Sequence, residues 1–377
     1  MKKVSSIVHL IPGLTKGGAE RVVIELANSF SSQGYSVSIV AICNFDKKLM
    51  PSILHSNVNI IYINSLPQSF LKRYLTSFLW LYFNRKWLLH QDILHVHLTQ
   101  SSLLATLVFF YRRLFSSPSP VIIETYHAVG MAIPIWAQKL HAWNLQYRDG
   151  IALIAIDQFW ENFRKANHHI PTRIISNGIE PLTDSVESSD VRIYLDSLGI
   201  PASAKLIIGT VGRFHPDRSP TKVAFILSEI LNALDNESYV LMCGSGSEFK
   251  SVQHMVSKKG LSDRFILPGI ALNPLLAMTS MSLYLTINIG KITGISAIEA
   301  VFCNVPVIAI QLDPNYIRGE CDWIPSFVGS DEVISRALNL LNDPLSLQCL
   351  RDRQHRYALT HLTADAMSNS YLELYNS

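Results

Sequence analysis

"IPGLTKGGAERVV" (Ile11–Val23) and "GTVGRFHPDRSPTKVAFIL" (Gly209–Leu227) open the two halves of this chain in the same way. In each, an apolar run ends in a loop carrying glycine or arginine, and a helical pattern follows. In the first, Val22, Val23, Leu26, Ala27 and Phe30 fall on one helical face, and Gly34 is placed to cap its end. Around these two stretches the rhythm repeats. Strands are predicted at Val4–Leu10, Val37–Ile42, Val58–Ile63, Ile93–His97, Val121–Thr125 and Ile151–Ile156. They are rich in Val and Ile and apolar on both faces, as parallel strands covered on two sides are. The acidic, serine-rich stretch Glu180–Ala204 interrupts the rhythm. It resumes at Lys205–Val211, Tyr239–Cys243, Arg264–Leu267, Leu283–Ile287 and Val305–Ile310, with helices at Ser330–Leu341 and Ala364–Tyr375. The expected fold is α/β, two doubly wound Rossmann-like domains facing a central cleft. Its parts are a domain at 1–180, a linker at 181–204, a second domain at 205–360, and a C-terminal helix within 361–377 packing back on the first domain.

The bulk numbers narrow the function classes. Of 377 residues, 48% are hydrophobic and 16% charged, which suits a large core and argues against disorder. A net charge of +3 is too small to point to nucleic acid. The five cysteines are scattered with no CxxC pair, so neither a disulfide framework nor a zinc site is expected, and a reducing cytoplasm fits. The start, "MKKVSSIVHLIPGL", has a signal-like basic tip, but its apolar run is short and breaks at Pro12-Gly13, so it reads as a first core strand. No run of about 18 apolar residues suggests a transmembrane helix. Phe70–His90 and Leu103–Phe115 mix aromatics with Lys72, Arg73, Arg85, Lys86, Arg112 and Arg113. They read as amphipathic helices with solvated basic faces, as a face for anionic lipid, or as both.

Several motifs carry chemistry. Gly17 and Gly18 stand at a helix start, where the absence of Cβ lets a ligand approach backbone N–H groups, or where a tight turn is needed. The order G-L-T-K-G-G fails the G-x-G-x-x-G dinucleotide fingerprint, and so does "CGSGSEF" (Cys243–Phe249). Arg213 and Arg218 come from one loop before a helix and suit a diphosphate, or are surface arginines. His127 in "ETYHA" ends a strand on the presumed ligand side. His95 and His97 share a strand face like a ligand pair, but no third ligand follows nearby, so hydrogen-bonded core or cleft roles are expected. In "NIGKITGISAIEAVFCNVPVIA" (Asn288–Ala309), Gly294 starts a helix with Ile295, Ile298, Val301 and Phe302 on its buried face. Asn304 is suited to the left-handed cap. Glu299 lies among apolar neighbours, where a carboxylate needs a partner, and ribose hydroxyls would serve. The N–H groups of Gly294, Ile295 and Ser296 would face a phosphate.

Taken in order, "KGGAERVV", "RIISNGIE", "GRF…R", "CGSGSE" and "KITGISAIEAVFCNVPVIA" resemble the large family 4 of retaining glycosyltransferases with the GT-B fold, which includes bacterial O-antigen and capsule enzymes. The resemblance spans nearly the whole chain. It implies an acceptor-binding first domain and a nucleotide-sugar-binding second domain. Gly17 and Gly18 would approach the diphosphate, Arg213 and Arg218 would stabilise it without a metal or other cofactor, Glu299 would hold the ribose, and His127 would lie near the transferred sugar. Lys291 stands where the family has the first glutamate of its E-x7-E element, a position that meets the donor sugar. The donor would be UDP- or GDP-linked and the acceptor a lipid-linked or other oligosaccharide, with peripheral contact at the cytoplasmic face of the inner membrane. A non-catalytic partner subunit of a glycan-assembly complex is the alternative that Lys291 favours. A nucleotide-sugar epimerase of similar architecture would need an acid–base set and no acceptor face.

Overall fold

A computed structural model describes residues 4–14, 17–43, 54–64, 69–127, 134–154, 158–181, 187–271, 273–288, 294–312 and 323–377. The chain forms two compact units, Met1–Glu180 with Thr363–Ser377, and Pro181–Leu362.

The first unit is a seven-stranded parallel sheet of β1 (Ser6–Gly13), β2 (Ser36–Cys43), β3 (Asn59–Asn64), β4 (Ile93–His97), β5 (Val121–Tyr126), β6 (Gly150–Leu153) and β7 (Thr172–Ile174), in the order β3-β2-β1-β4-β5-β6-β7. The N-terminal run is thus a core strand, buried between β2 and β4. Helices α1 (Gly18–Ser32), α2 (Phe70–Leu89), α3 (Thr99–Leu114), α4 (Ile135–Leu145) and α5 (Gln158–Ala166) follow β1, β3, β4, β5 and β6. Helix α1 buries Val22, Val23, Leu26, Ala27 and Phe30 and ends where Gly34 turns left-handed at φ +87°. The most deeply buried carboxylate described in this unit is Glu124 of β5, whose Oε2 accepts from Arg148 Nε at 2.7 Å and from Ser102 Oγ at 2.8 Å. Pairing and hydrogen bonding together make its burial tolerable.

The second unit has a six-stranded sheet of β8 (Leu206–Val211), β9 (Ser238–Cys243), β10 (Phe265–Ile266), β11 (Leu283–Asn288), β12 (Val307–Gln311) and β13 (Ser326–Phe327), all parallel, in the order β10-β9-β8-β11-β12-β13. Its helices are α6 (Ser188–Ser197), α7 (Pro220–Ala233), α8 (Phe249–Lys258), α9 (Pro274–Thr279), α10 (Ile295–Phe302), α11 (Ser330–Asn342) and α12 (Pro344–His361). Its core joins one face of the sheet to α7, α8 and α11 through residues such as Val223, Leu227, Val252 and Val333.

Three differences from the sequence reading have simple causes. The stretch 181–204, expected as a linker, carries α6 and belongs to the second unit. Edge strands β7 and β13 go unpredicted because, unlike the equally short β10 in its apolar Phe265–Leu267 run, they have no apolar run of that length, and every residue of β7 is exposed. Helix α12 was missed because it is mostly polar and buries only Leu347, Leu350, Gln354 and Ala358. The end of the predicted strand Ile151–Ile156 lies outside the described residues.

The last helix, α13 (Ala364–Tyr375), returns to the first unit. Thr363 Oγ1 caps it by accepting from the Ala366 N–H at 3.0 Å, and Ala364 N–H donates to Ile179 O at 2.9 Å. Ser29 Oγ on α1 donates to Asp365 at 2.7 Å, and Gln33 Nε2 donates to Ser368 Oγ at 2.9 Å. The return needs a glycine. A Cβ at Gly178 would lie 2.2 Å from Thr363 O and 3.0 Å from Met367 Cβ. Gly178→Ala should therefore destabilise the first unit by about 2–3 kcal/mol, read as a lower urea midpoint. An unchanged midpoint would show that α13 does not depend on this close approach.

Candidate functional site

In both sheets the first strand is central, and the chain crosses to its other side at the fourth. The crossing points are β1/β4 and β8/β11. Loops after the strands diverge there, which is where ligands settle in open parallel sheets.

At the second crossing, the loop after β8 is fastened by the loop after β9. Gly212 N–H donates to Cys243 O at 3.0 Å, Phe214 N–H to Ser245 O at 2.8 Å, and Glu248 N–H to Phe214 O at 2.9 Å. Gly244 and Gly246 have φ of +148° and +153°. A Cβ on them would come within 1.8 Å of Gly212 O and 2.3 Å of Phe214 O. The glycines of "CGSGSEF" thus serve loop-against-loop packing. Phe214 is buried and stacks on Phe249 at 5.3 Å.

The two arginines of the loop share one carboxylate. Arg213 Nη2 lies 3.2 Å and Arg218 Nε 3.8 Å from Asp217 Oδ2, and His215 Nδ1 lies 2.6 Å from Asp217 Oδ1. Asp217 and His215 stand in the same motif as the two arginines, "GRFHPDR", but nothing in its spacing marks them as partners. Beneath the loop, Tyr284 of β11 is buried. Its hydroxyl donates to Val211 O at 2.8 Å and accepts from Val211 N–H at 3.1 Å. Burial raises this phenol above its usual range, against hydrogen bonds with Ser296, Val211 and Thr210. The phenol hydrogen-bonds Ser296 of α10, and Arg218 and Glu299 lie near enough for their charges to bear on its ionisation. Tyr284 therefore joins the arginine loop to the first turns of α10. In sequence it is a residue of the apolar strand run Leu283–Ile287 and nothing marks it as more.

Gly294 is the N-cap of α10 in an extended conformation and offers no side-chain acceptor, so the first-turn N–H groups at Ile295 and Ser296 point beyond the helix. Asn304 takes the left-handed conformation, φ +59°. The buried face is Ala297, Ile298, Ala300, Val301 and Phe302. Ile295 and Glu299 are only half-buried. Four residues apart, they share a stripe turned from the core. Glu299 is therefore not an acid in an apolar interior, as its neighbours in sequence suggested. Asn288, the last residue of β11, is fully buried, and neither side-chain atom has a hydrogen-bond partner among the described residues. Lys291 lies outside the described residues.

In the first unit, Gly17 is the N-cap and Gly18 the first residue of α1, following β1, and His127 follows β5. His127 joins a group assembled from three strands. His9 Nδ1 is 3.1 Å from His97 Nε2, and His97 Nδ1 is 3.2 Å from His127 Nε2. His95 is held by Thr125 Oγ1 at 2.6 Å and by Tyr375 Oη at 2.7 Å. The third histidine that the sequence reading found lacking near His95 and His97 is His9, brought in by the pairing of β1 with β4. One nitrogen each from His9, His95 and His97 lie within 4.8 Å of one another, a donor set suited to a transition metal. Apart from His9 Nε2, every ring nitrogen of these three is already hydrogen-bonded, so an ion would have to replace bonds that exist. Burial pushes His9 down to about 3 and His127 down to about 4, and holds His95 and His97 well below the usual histidine value.

Known proteins share this architecture. The sequence model described as Glycosyltransferase Family 4 matches residues 16–181, and that described as Glycosyl transferases group 1 matches residues 197–358. A 2-deoxystreptamine glucosyltransferase of Streptomyces kanamyceticus is 23% identical over 181 residues. The match spans less than half of that relative, 45% of each protein. Among solved structures, Anabaena HepE in complex with UDP and glucose superposes with a TM-score of 0.77 at 14% identity, covering 98% of both chains. WaaG, a glycosyltransferase involved in lipopolysaccharide biosynthesis, gives 0.69 at 13% identity, covering 98% of this chain and 100% of its own.

The histidine group makes the first unit acid-sensitive. His9 titrates near 6.5 when exposed and at about 3 in the fold. Between those values the unfolded chain binds a proton that the fold does not, so stability is complete above pH 6.5 and falls as pH drops. From pH 7 to pH 5 His9 alone should cost about 2 kcal/mol. His9→Phe should lessen the pH dependence of the urea midpoint by that amount, and equal slopes for both proteins would refute it.

Proposed function

This chain belongs to the family-4-type glycosyltransferases of the GT-B fold, and we propose that it moves a sugar from a UDP- or GDP-linked donor to a lipid-linked glycan, with retention of anomeric configuration. The observation that carries this reading is the arginine loop joined through Tyr284 to the open N-terminus of α10. Two guanidiniums and a row of N–H groups are what a leaving diphosphate requires. In this reading the diphosphate replaces Asp217 as the partner of Arg213 and Arg218, and the cations do the work of a divalent metal. Glu299, on the outward stripe of the same helix, takes the ribose hydroxyls. Gly17, Gly18 and His127 follow strands β1 and β5 of the first unit, at the strand ends where open parallel sheets take their ligands. The structures of HepE with UDP and with UDP-glucose support a nucleotide-sugar ligand for this architecture.

Stabilisation by ligand tests the reading, since a molecule that binds only the folded state raises its melting temperature. UDP or GDP should raise it, and Arg213→Ala and Glu299→Ala should each abolish the rise. No shift with any nucleotide would leave the non-catalytic partner subunit as the better account. Lys291→Glu should change donor-sugar preference while nucleotide affinity is kept. An unchanged preference would remove Lys291 from the sugar site.

The lipid-linked acceptor is supported by the surface of the first unit. Tyr82 and Phe83 on α2, Phe110 on α3, and Trp136 and Trp143 on α4 are all exposed. Lys72, Arg85 and Lys86 on α2 and Arg113 on α3 interleave with them. Arg112, expected to be solvated, is instead paired with Asp149 at 2.6 Å. Among the described residues no helix is long and apolar enough to cross a membrane. A peripheral contact with anionic lipid at the cytoplasmic face fits this composition. The protein should float with anionic vesicles at low salt, and should do so less at high salt or as Phe83→Ser with Trp136→Ser. Flotation that ignores both would exclude this surface.

A further inference from the structure

The pairing of β1, β4 and β5 arranges polar side chains in a column. His9 is in register with His95, and His97 with Thr125. Register partners and residues two apart share a sheet face, so His9, His95, His97 and Thr125 line one face, and His127 continues it past the end of β5. Within the column, the bonds His9 Nδ1···His97 Nε2 and His97 Nδ1···His127 Nε2 run from the buried middle of the sheet to its carboxyl edge. His95 is not a link in this chain. Both its nitrogens are taken by Thr125 and Tyr375, and its ring packs on that of His97 with centroids 4.1 Å apart.

A neutral imidazole carries one N–H, so the chain can run in only two directions. Run inward, His127 donates to His97 and His97 to His9, which leaves His9 with an N–H at Nε2. That atom is buried and without a partner. Run outward, His9 donates to His97 and His97 to His127, and only a bare lone pair is left at His9 Nε2. A buried N–H without an acceptor is the rarer and costlier of the two.

We propose that His97, backed by His9, fixes the tautomer of His127, so that His127 offers an Nδ1–H donor to an oxygen of the bound ligand rather than a basic lone pair. His9 and His97 are then positioning residues, and His127 hydrogen-bonds its ligand without accepting a proton from it. Burial keeps the imidazoles neutral at physiological pH, which the one-proton-per-ring count requires. That His127 meets a ligand, and that the ligand oxygen belongs to a sugar, rest on the transferase reading; the position of the proton does not.

Long-range proton–nitrogen correlation on the full chain labelled with 15N-histidine reads the tautomer directly, with His127→Gln supplying the assignment. His127 should show a protonated Nδ1 and an unprotonated Nε2. In His97→Phe the donor is lost, and the two His127 nitrogens should move toward averaged shifts. In His97→Asn, whose amide can donate from the place of Nδ1, the wild-type pattern should persist. A protonated Nε2 on His127 in the wild type, or an unchanged pattern in His97→Phe, would overturn the proposal. If His97→Phe does not fold, the wild-type spectrum decides by itself. A protonated Nε2 alongside an intact nucleotide-induced melting shift would overturn this inference and leave the transferase reading standing.

Discussion

A parallel sheet that starts in its middle must at some point send the chain across to the other side of its first strand. That constraint acts twice here, at β1/β4 and at β8/β11. At these two places the loops after neighbouring strands turn opposite ways, and the carboxyl ends of the strands are left open. The arginine loop and the open end of α10 stand at one. The histidine column rises toward the other. Short apolar strands and crossover helices alone would have produced this geometry, whatever the loops contained.

What the two places do with it differs chemically. At β8/β11 one buried phenol ties together groups that sequence order keeps far apart, Val211 on one strand and Ser296 on a helix, with Arg218 and Glu299 close by. At β1/β4 the buried groups are imidazoles, which stay neutral because burial disfavours their charged form. Both arrangements satisfy polar atoms inside a fold where an unpaired one is costly. His9 Nε2 and the Asn288 amide are exceptions, and each stands next to a crossing point.

The fold was legible because its signal is local. Val- and Ile-rich runs, the helical spacing of Val22 to Phe30, Gly34 and Asn304 as left-handed caps, and the motif order from Gly17 to Glu299 are all properties of contiguous residues. Elements without an apolar run, such as β7 and α12, gave no such signal. Of the candidate groups in each unit, the arginines and the helix start at Gly294 in the second and His127 in the first could be named from their places in loops after strands. Asp217, Tyr284 and His9 could not. Asp217 reads as an ordinary loop acid, and Tyr284 and His9 read as strand interior until their hydroxyl or ring partners are known.

The sequence by itself determined the class of fold, the parallel strands, where the helices begin and which cations follow a strand, because each is written in spacing along the chain. Only the tertiary structure decided that Glu299 faces away from the core, that the glycines of "CGSGSEF" serve loop packing, and that three histidines from two strands meet a fourth. Those facts depend on strand register and helix rotation, which bring together residues as far apart as His9 and His97 through backbone hydrogen bonds that no local pattern records.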